Sequence, residues 1–330
     1  MTAAFGRPLT GQFAEGTLAP ISVAILGAGA MGSLFGARLT MAGIALDLID
    51  VDDRLIAVIN ERGLRLVTDA EDRAVRARAG RANVFSGSRD LIIVFTKTMH
   101  TSAALAAAQH LIGPDTVVLT LQNGIGNGER VLAQVPPERV LIGMTNWPAD
   151  VQAPACVSSH GSGEVRVWSL SGCDRAMVER VSALLSSAGL NSQPDPDVLI
   201  SIWEKAAFNA AMNSISALTS FTVGHMADSV DVRALVSSVI GEAVQTACAA
   251  GILACQDHVT AAVEDAFANQ RSHLPSMLQD VRAGRPTEID AINGQIVEVA
   301  RAHGVQTPVI ETLARLVRAI QSRATAPMTD

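Results

Sequence analysis

The hydrophobic rhythm of this chain changes near residue 195. Before that point, short runs of β-branched and aliphatic residues alternate with alanine-rich stretches whose apolar positions recur at helical spacing. The runs at 21–26, 46–49, 91–95 and 117–121 are short, apolar and flanked by turn or helix-start residues, as strands buried on both faces should be. Helical patterns at 31–41 and 54–61 fall between them. Strand–helix alternation predicts right-handed βαβ units and an open parallel sheet. A glycine-punctuated alternating stretch at 157–168 predicts an antiparallel addition, and the segment 191–197 (NSQPDPD) predicts a linker. Beyond it the pattern is helical: 198–220, 231–250, 260–270 and 287–303, the last ending at Gly304, a good residue for a helix C-terminus. The expected fold class is α/β, with a doubly wound sheet over residues 21–194 and an all-helical C-terminal domain over 195–330. Residues 1–20 read as a flexible extension, and the cleft between the domains is where a substrate would sit.

Composition narrows the partners. At 330 residues, 48% hydrophobic and 17% charged, the chain can bury two cores. No apolar run approaches the roughly 18 residues of a membrane span, and residues 1–20 lack the basic start and apolar stretch of a secretory signal. A net charge of −7 gives no basic footprint for nucleic acid. A cytoplasmic enzyme is expected. Cys156, Cys173, Cys248 and Cys255 lack CxxC spacing and read as reduced structural thiols, with no metal site. There is no tyrosine, which excludes mechanisms that use a tyrosine acid. Of 25 basic residues only Lys97 and Lys205 are lysines. Arginine keeps its charge at any working pH, whereas a desolvated lysine can release a proton, so both lysines are candidates for chemistry.

Gly27, Ala28, Gly29, Ala30, Met31 and Gly32 form a GxGxxG loop between the first strand and the first helix. Strand, loop, helix, second strand and closing acid (Asp50) fall in the order of a Rossmann-type dinucleotide site. The first glycine permits the tight turn, the second admits a pyrophosphate to the backbone, and the third lets helix and strand pack closely. Asp50 would bind the adenosine ribose and repel a 2′-phosphate, which leans the cofactor toward NADH, while Arg54 is the cation that would answer a 2′-phosphate. Lys205, Asn209 and Asn213 recur every four residues along an almost wholly apolar helix, so they share a stripe that is costly to bury unless it faces a polar cavity. Ser276, Glu288, Asp290 and Asn293 cluster later; Glu288 alone reads equally as a helix-dipole carboxylate or a site acid. Lys97 and Asn123 each follow a strand, at the sheet edge where open α/β folds bind ligands.

The segments GAGAMG (27–32), FTK (95–97), QNGIG (122–126), WEKAAFN (203–209) and SMLQD with TEID and NG (276–294) together resemble the ketopantoate reductase family (2-dehydropantoate 2-reductases). The resemblance runs from about residue 21 to the last helices. It implies that Lys205 is the catalytic acid with Glu288 as its partner, that Asn209, Asn213 and Ser276 hold the substrate, and that Lys97 and Asn123 lie near the nicotinamide. The implied reaction reduces 2-dehydropantoate to (R)-pantoate with NAD(P)H, NADPH being the family default, on the route to pantothenate. The implied partners are a small 2-keto acid and, at most, a second copy in a homodimer, with no nucleic acid or membrane. Two departures stand out. His273 occupies a substrate-segment position where the family often has asparagine, and Val51 stands where an arginine usually meets the 2′-phosphate. Three alternatives therefore stay open. One is a relative acting on another 2-keto acid. Another is a β-hydroxyacid dehydrogenase, whose lysine is preceded by glycines where this chain has Ile202, Trp203 and Glu204. The third is a non-enzymatic NAD(P)-sensing protein, which would leave Lys205, Asn209 and Glu288 without a reason.

Overall fold

The computed structural model describes residues 21–172 and 175–325, so the expected N-terminal extension and Cys173 lie outside the described residues. The strands are β1 (Val23–Leu26), β2 (Leu46–Ile49), β3 (Leu64–Thr68), β4 (Asp72–Val75), β5 (Arg78–Gly80), β6 (Leu91–Val94), β7 (Val117–Thr120), β8 (Val140–Thr145), β9 (Asp150–Ala153), β10 (Cys156–Ser159), β11 (Val165–Ser169) and β12 (Ser192–Pro194). Eight of them form one sheet in the order β12-β11-β8-β7-β6-β1-β2-β5. The six from β5 to β8 are parallel, and chain order reverses between β1 and β6. This is the doubly wound arrangement, with its switch point beside β1. Within β1, Val23 and Ile25 enter one apolar layer with Leu34 and Phe35, while Ala24 and Leu26 enter the opposite layer with Ile92 and Leu105. Helices on both faces explain why these strands read as continuous apolar runs.

Two expectations need correction. The stretch 157–168 does not act as one unit: β11 pairs antiparallel with β8, but β10 joins a separate four-stranded sheet, β4-β3-β10-β9. Alternation signals a half-buried strand without saying which sheet receives it. The segment 191–197 is only partly a linker. Ser192–Pro194 is an edge strand parallel to β11, a position that tolerates proline because its outer side has no neighbour to bond.

The glycine loop opens α1 (Ala30–Met41), β2 is followed by α2 (Asp53–Arg62), and α3 (Thr101–Ala107), α4 (Asn127–Leu132) and α5 (Arg175–Ser187) complete the layers on the sheet. The chain leaves the sheet at Pro194 and enters α6 (Val198–Thr219), which is surrounded by α7 (Val223–Asp228), α8 (Val230–Ala249), α9 (Gln256–Asn269), α10 (Ser276–Arg282), α11 (Gln295–Ala302) and α12 (Pro308–Thr325). A second core forms around α6 from Ala206, Ala210, Met212, Ile215, Val239 and Ile292. Its small residues let neighbouring helices approach closely. A π-helical turn, Asp290–Gly294, precedes α11, so the expected single helix over 287–303 is interrupted where it contacts α6. No helix of the described residues is long and apolar enough to cross a membrane.

Candidate active site

The glycine loop sits at the switch point. Gly27 has φ +96°, a left-handed conformation that suits glycine, and its N–H donates to the Ile49 carbonyl at 2.8 Å. A Cβ on Gly32 would collide with the Gly27 carbonyl oxygen, so the third glycine is set by loop–helix packing. A Cβ on Gly29, by contrast, would meet nothing within 4 Å. No side chain caps α1, which leaves its first N–H groups facing that open space. This cradle fits a pyrophosphate. Asp50 braces it: Oδ2 accepts from the Ala28 N–H at 2.7 Å, and Oδ1 accepts from the N–H groups of Val51 at 2.7 Å and Asp52 at 3.0 Å. The carboxylate expected to be free for a ribose is thus largely engaged with its own loop, with little acceptor capacity to spare. Nearby charge is also balanced: Asp52 caps α2 and Asp53 pairs with Arg81 at 2.8 Å.

Across the cleft, Lys205 projects from α6 and donates from Nζ to the Thr145 carbonyl at 2.5 Å. That carbonyl ends β8, and Thr145 is held in register opposite Val165 of β11. The residue keeps some exposure along the cleft, but its ammonium is enclosed. Burial draws it from the ordinary lysine value down to about 8, and the Glu288 charge works against that shift. One and two turns further on lie Asn209 and Asn213, 8% and 6% exposed. Neither side-chain amide has a hydrogen-bond partner among the described residues. Buried amides are normally bonded, so a pair without protein partners on the Lys205 stripe marks a surface built to meet a polar ligand.

Glu288 reaches the cleft from the segment before the π-helical turn. The Thr98 N–H donates to Oε1 at 3.3 Å, and the Asn123 amide also bonds the carboxyl. Burial raises the affinity of Glu288 for its proton and the nearby Asp280 adds to this. The Thr98 bond, the Lys97 charge and the Asn123 bond oppose it. Glu288 and Lys205 form no direct ion pair among the described residues, although each lies within the other's field. The loop carrying Asn123 docks on the helical half, where the Ile125 N–H donates to the Ala291 carbonyl at 3.1 Å. Lys97, expected near the nicotinamide, crosses to the helical half and bonds the Pro286 carbonyl at 2.7 Å and Asp280 at 2.7 Å. Ser276 is the exposed first residue of α10, which packs on α6, and His273 lies half-buried in the turn before it.

Lys205, Glu288, Lys97 and Asn123 thus converge on one junction, whereas Asp290 pairs with Arg318 at 2.6 Å on the outside. Sequence reasoning missed Thr98, the Thr145 carbonyl and Asp280. Thr98 follows FTK and Asp280 lies inside SMLQD, so both were findable as neighbours of marked residues; a backbone carbonyl carries no sequence signal. Two cavities, of about 420 and 250 Å³, are not lined by Lys205, one lying against β2 and the other beside Trp203. The amides and titratable groups, rather than cavity size, locate the chemistry.

Comparison with known proteins places the chain in a family. The model of the family described as "Ketopantoate reductase PanE/ApbA" matches residues 23–172, and that described as "Ketopantoate reductase PanE/ApbA C terminal" matches 197–321. The 2-dehydropantoate 2-reductase of Streptococcus pyogenes serotype M3 is 33% identical over 298 residues, 90% of this chain and 97% of the relative. That of Halobacterium salinarum is 32% identical over 301 residues, 91% and 98% of the two chains. Among solved structures, D-mandelate dehydrogenase with NADH and anilino(oxo)acetate superposes with a TM-score of 0.89 at 32% identity, covering 93% of this chain and 100% of the other. The PanE/ApbA family ketopantoate reductase from Ralstonia eutropha JMP134 gives 0.85 at 28% identity, with 93% and 100% covered. The chain belongs to the ketopantoate reductase family.

Proposed function

We propose that this oxidoreductase reduces the C2 ketone of a small 2-keto acid, with 2-dehydropantoate as the first candidate and (R)-pantoate as the product, in cytoplasmic pantothenate biosynthesis. The observation that carries the reading is Lys205, an enclosed ammonium beside two buried amides without protein partners. A reduced nicotinamide, when bound, supplies the hydride. As negative charge builds on the ketone oxygen, Lys205 gives up the proton held at Nζ and stabilises that charge. Glu288 favours the ammonium form and orients it. Asn209, Asn213 and Ser276 bind the carboxylate through hydrogen bonds, with His273 at the rim. The work divides along the chain, residues 21–194 holding the cofactor with Gly27–Gly32, Asp50 and Asn123, and residues 195–330 holding the substrate.

The cofactor proposed is NADH. Asp50, held by backbone N–H groups and by no cation among the described residues, keeps its negative charge beside the place of a 2′-phosphate, and Val51 is exposed next to it. The likeness to D-mandelate dehydrogenase, solved with NADH and anilino(oxo)acetate, favours one second reading: an NADH-linked reductase of a bulkier 2-keto acid. A panel of 2-keto acids assayed with NADH and with NADPH tests both. The highest kcat/KM is expected with 2-dehydropantoate and NADH. A tenfold NADPH preference, about 1.4 kcal/mol, would overturn the Asp50 argument. Cofactor binding without turnover of any keto acid would sink the enzymatic reading.

A further inference from the structure

Lys97 belongs to the turn after β6 but ends in the helical half. Its partner Asp280 lies on α10, is 8% exposed and uses both carboxylate oxygens: Oδ2 meets Lys97 at 2.7 Å and Oδ1 accepts from Arg285 Nε at 3.0 Å. The Asp280 carbonyl also accepts from the Arg285 N–H at 2.9 Å. One carboxylate thereby joins the cofactor half, α10 and the turn 283–286. The second bond of Lys97 falls on the Pro286 carbonyl, two residues before Glu288. The adjacent Thr98 N–H holds Glu288 itself at 3.3 Å. Lys97, Thr98 and the buried acid opposite them thus hold the segment that brings Glu288 to the cleft, beside the Asn123 bond to its carboxyl and the bond from the Thr287 N–H to Gln321. An exposed ion pair would carry little weight. Here the acid's side chain is 11% exposed, so losing Asp280 takes the ion-pair partner from both Lys97 and Arg285, and losing Lys97 leaves the acid with Arg285 alone.

We propose that Asp280 is a positioning residue: through Lys97 and Arg285 it fixes the 283–288 segment so that Glu288 faces Lys205 across the cleft. The inference rests on the reading of Glu288 as the partner of Lys205. The charged groups facing Glu288 are Lys97 from the β6 turn, Asp280 from α10 and Lys205 from α6, with Thr98 and Asn123 as hydrogen-bond donors.

The test uses the full chain with Asp280→Asn, Asp280→Ala, Lys97→Met and the Asp280→Asn/Lys97→Met double variant. In Asp280→Ala, kcat should fall roughly tenfold to a hundredfold, the scale of a small misplacement of a catalytic group. KM for the keto acid and Kd for the reduced cofactor should stay within about threefold. Asp280→Asn, which keeps the shape and one acceptor, should recover part of kcat. In both variants the acidic limb of the kcat/KM profile should move to lower pH, because a negative neighbour of Glu288 is gone while Lys97 and Lys205 remain. A merely structural role would lower Tm and leave kcat of the folded Asp280→Ala chain unchanged, which would overturn the proposal. The melting cycle needs no substrate: the double variant should lose clearly less Tm than the two single variants combined, and strict additivity would refute the clamp. A wild-type chain that reduced no keto acid would fail the functional reading alone, and the cycle would still decide whether Asp280 and Lys97 act together.

Discussion

At Nζ of Lys205 two demands meet, since the group must be charged to donate a proton and must be desolvated to release it near neutral pH. Burial draws it down to about 8 from 10.5, with Glu288 pulling the other way. With the ammonium as the proposed donor, kcat/KM for reduction should fall as pH rises through about 8, and a profile flat from about pH 6 to 10 would remove Lys205 from the role. Lys205→Ala should lower kcat by roughly 10²–10⁴-fold, and Lys205→Arg nearly as much because guanidinium keeps its proton. Retention of more than about a tenth of kcat with the fold intact would count against the assignment. The same burial bears on stability. Between about 8 and the ordinary 10.5 the folded chain binds fewer protons than the unfolded one, so stability gains with pH there, and the full penalty applies below. Lys205→Met should therefore melt no lower than wild type at neutral pH while losing turnover; a clear drop in Tm would show that the Thr145 bond outweighs desolvation.

At the scale of elements, α12 shows how a helix end is satisfied from afar. Glu242 of α8 accepts from the N–H groups of Val309 and Ile310, both at 2.9 Å, on the positive end of α12. Glu242→Gln should cost about 1–2 kcal/mol, read as a Tm lower by several degrees with kcat/KM unchanged, and an unmoved Tm would deny the cap its weight. This contact was invisible in sequence because its partners come from different helices. What was legible had strong local signal: the runs at 46–49, 91–95 and 117–121, the glycine loop, and α6 with its stripe. β5 and β12 were not, since Arg78–Gly80 and Ser192–Pro194 are strands only because β2 and β11 offer them an edge. The site followed the same rule. Lys205, Asn209 and Asn213 were marked by their own helix, whereas the roles of Glu288 and Lys97 came from resemblance, and the bridge through Asp280 needed coordinates. Asp50 was singled out by its place after β2, whereas the three backbone bonds that its carboxylate accepts needed the structure.

The described residues form a sheet half and a helical half, and the proposed function divides between them. The glycine-loop cradle lies entirely on the sheet half, at the switch point beside β1, while Asn209 and Asn213 lie on α6 and Ser276 on α10 packed against it. Among the described residues, contacts between the halves include Lys97, Thr98, the loop after β7 and the Lys205–Thr145 bond, but not the two amides. Loss of an amide should then be felt by the keto acid and not by the dinucleotide. A hydrogen bond to a charged group is worth about 1.5–3 kcal/mol, so Asn209→Ala should lower kcat/KM for the keto acid by roughly ten- to a hundredfold. Ser276→Ala, whose hydroxyl is exposed, should lose less. In both variants the Kd for reduced cofactor, followed by its fluorescence, should stay within about twofold. The two amides have no protein partner among the described residues to leave stranded, so Tm should hold as well. A collapse of cofactor affinity in Asn209→Ala would mean that α6 contributes to the dinucleotide site and that the cleft is not divided between the halves. A collapse of Tm alone would mean that Asn209 belongs to the core.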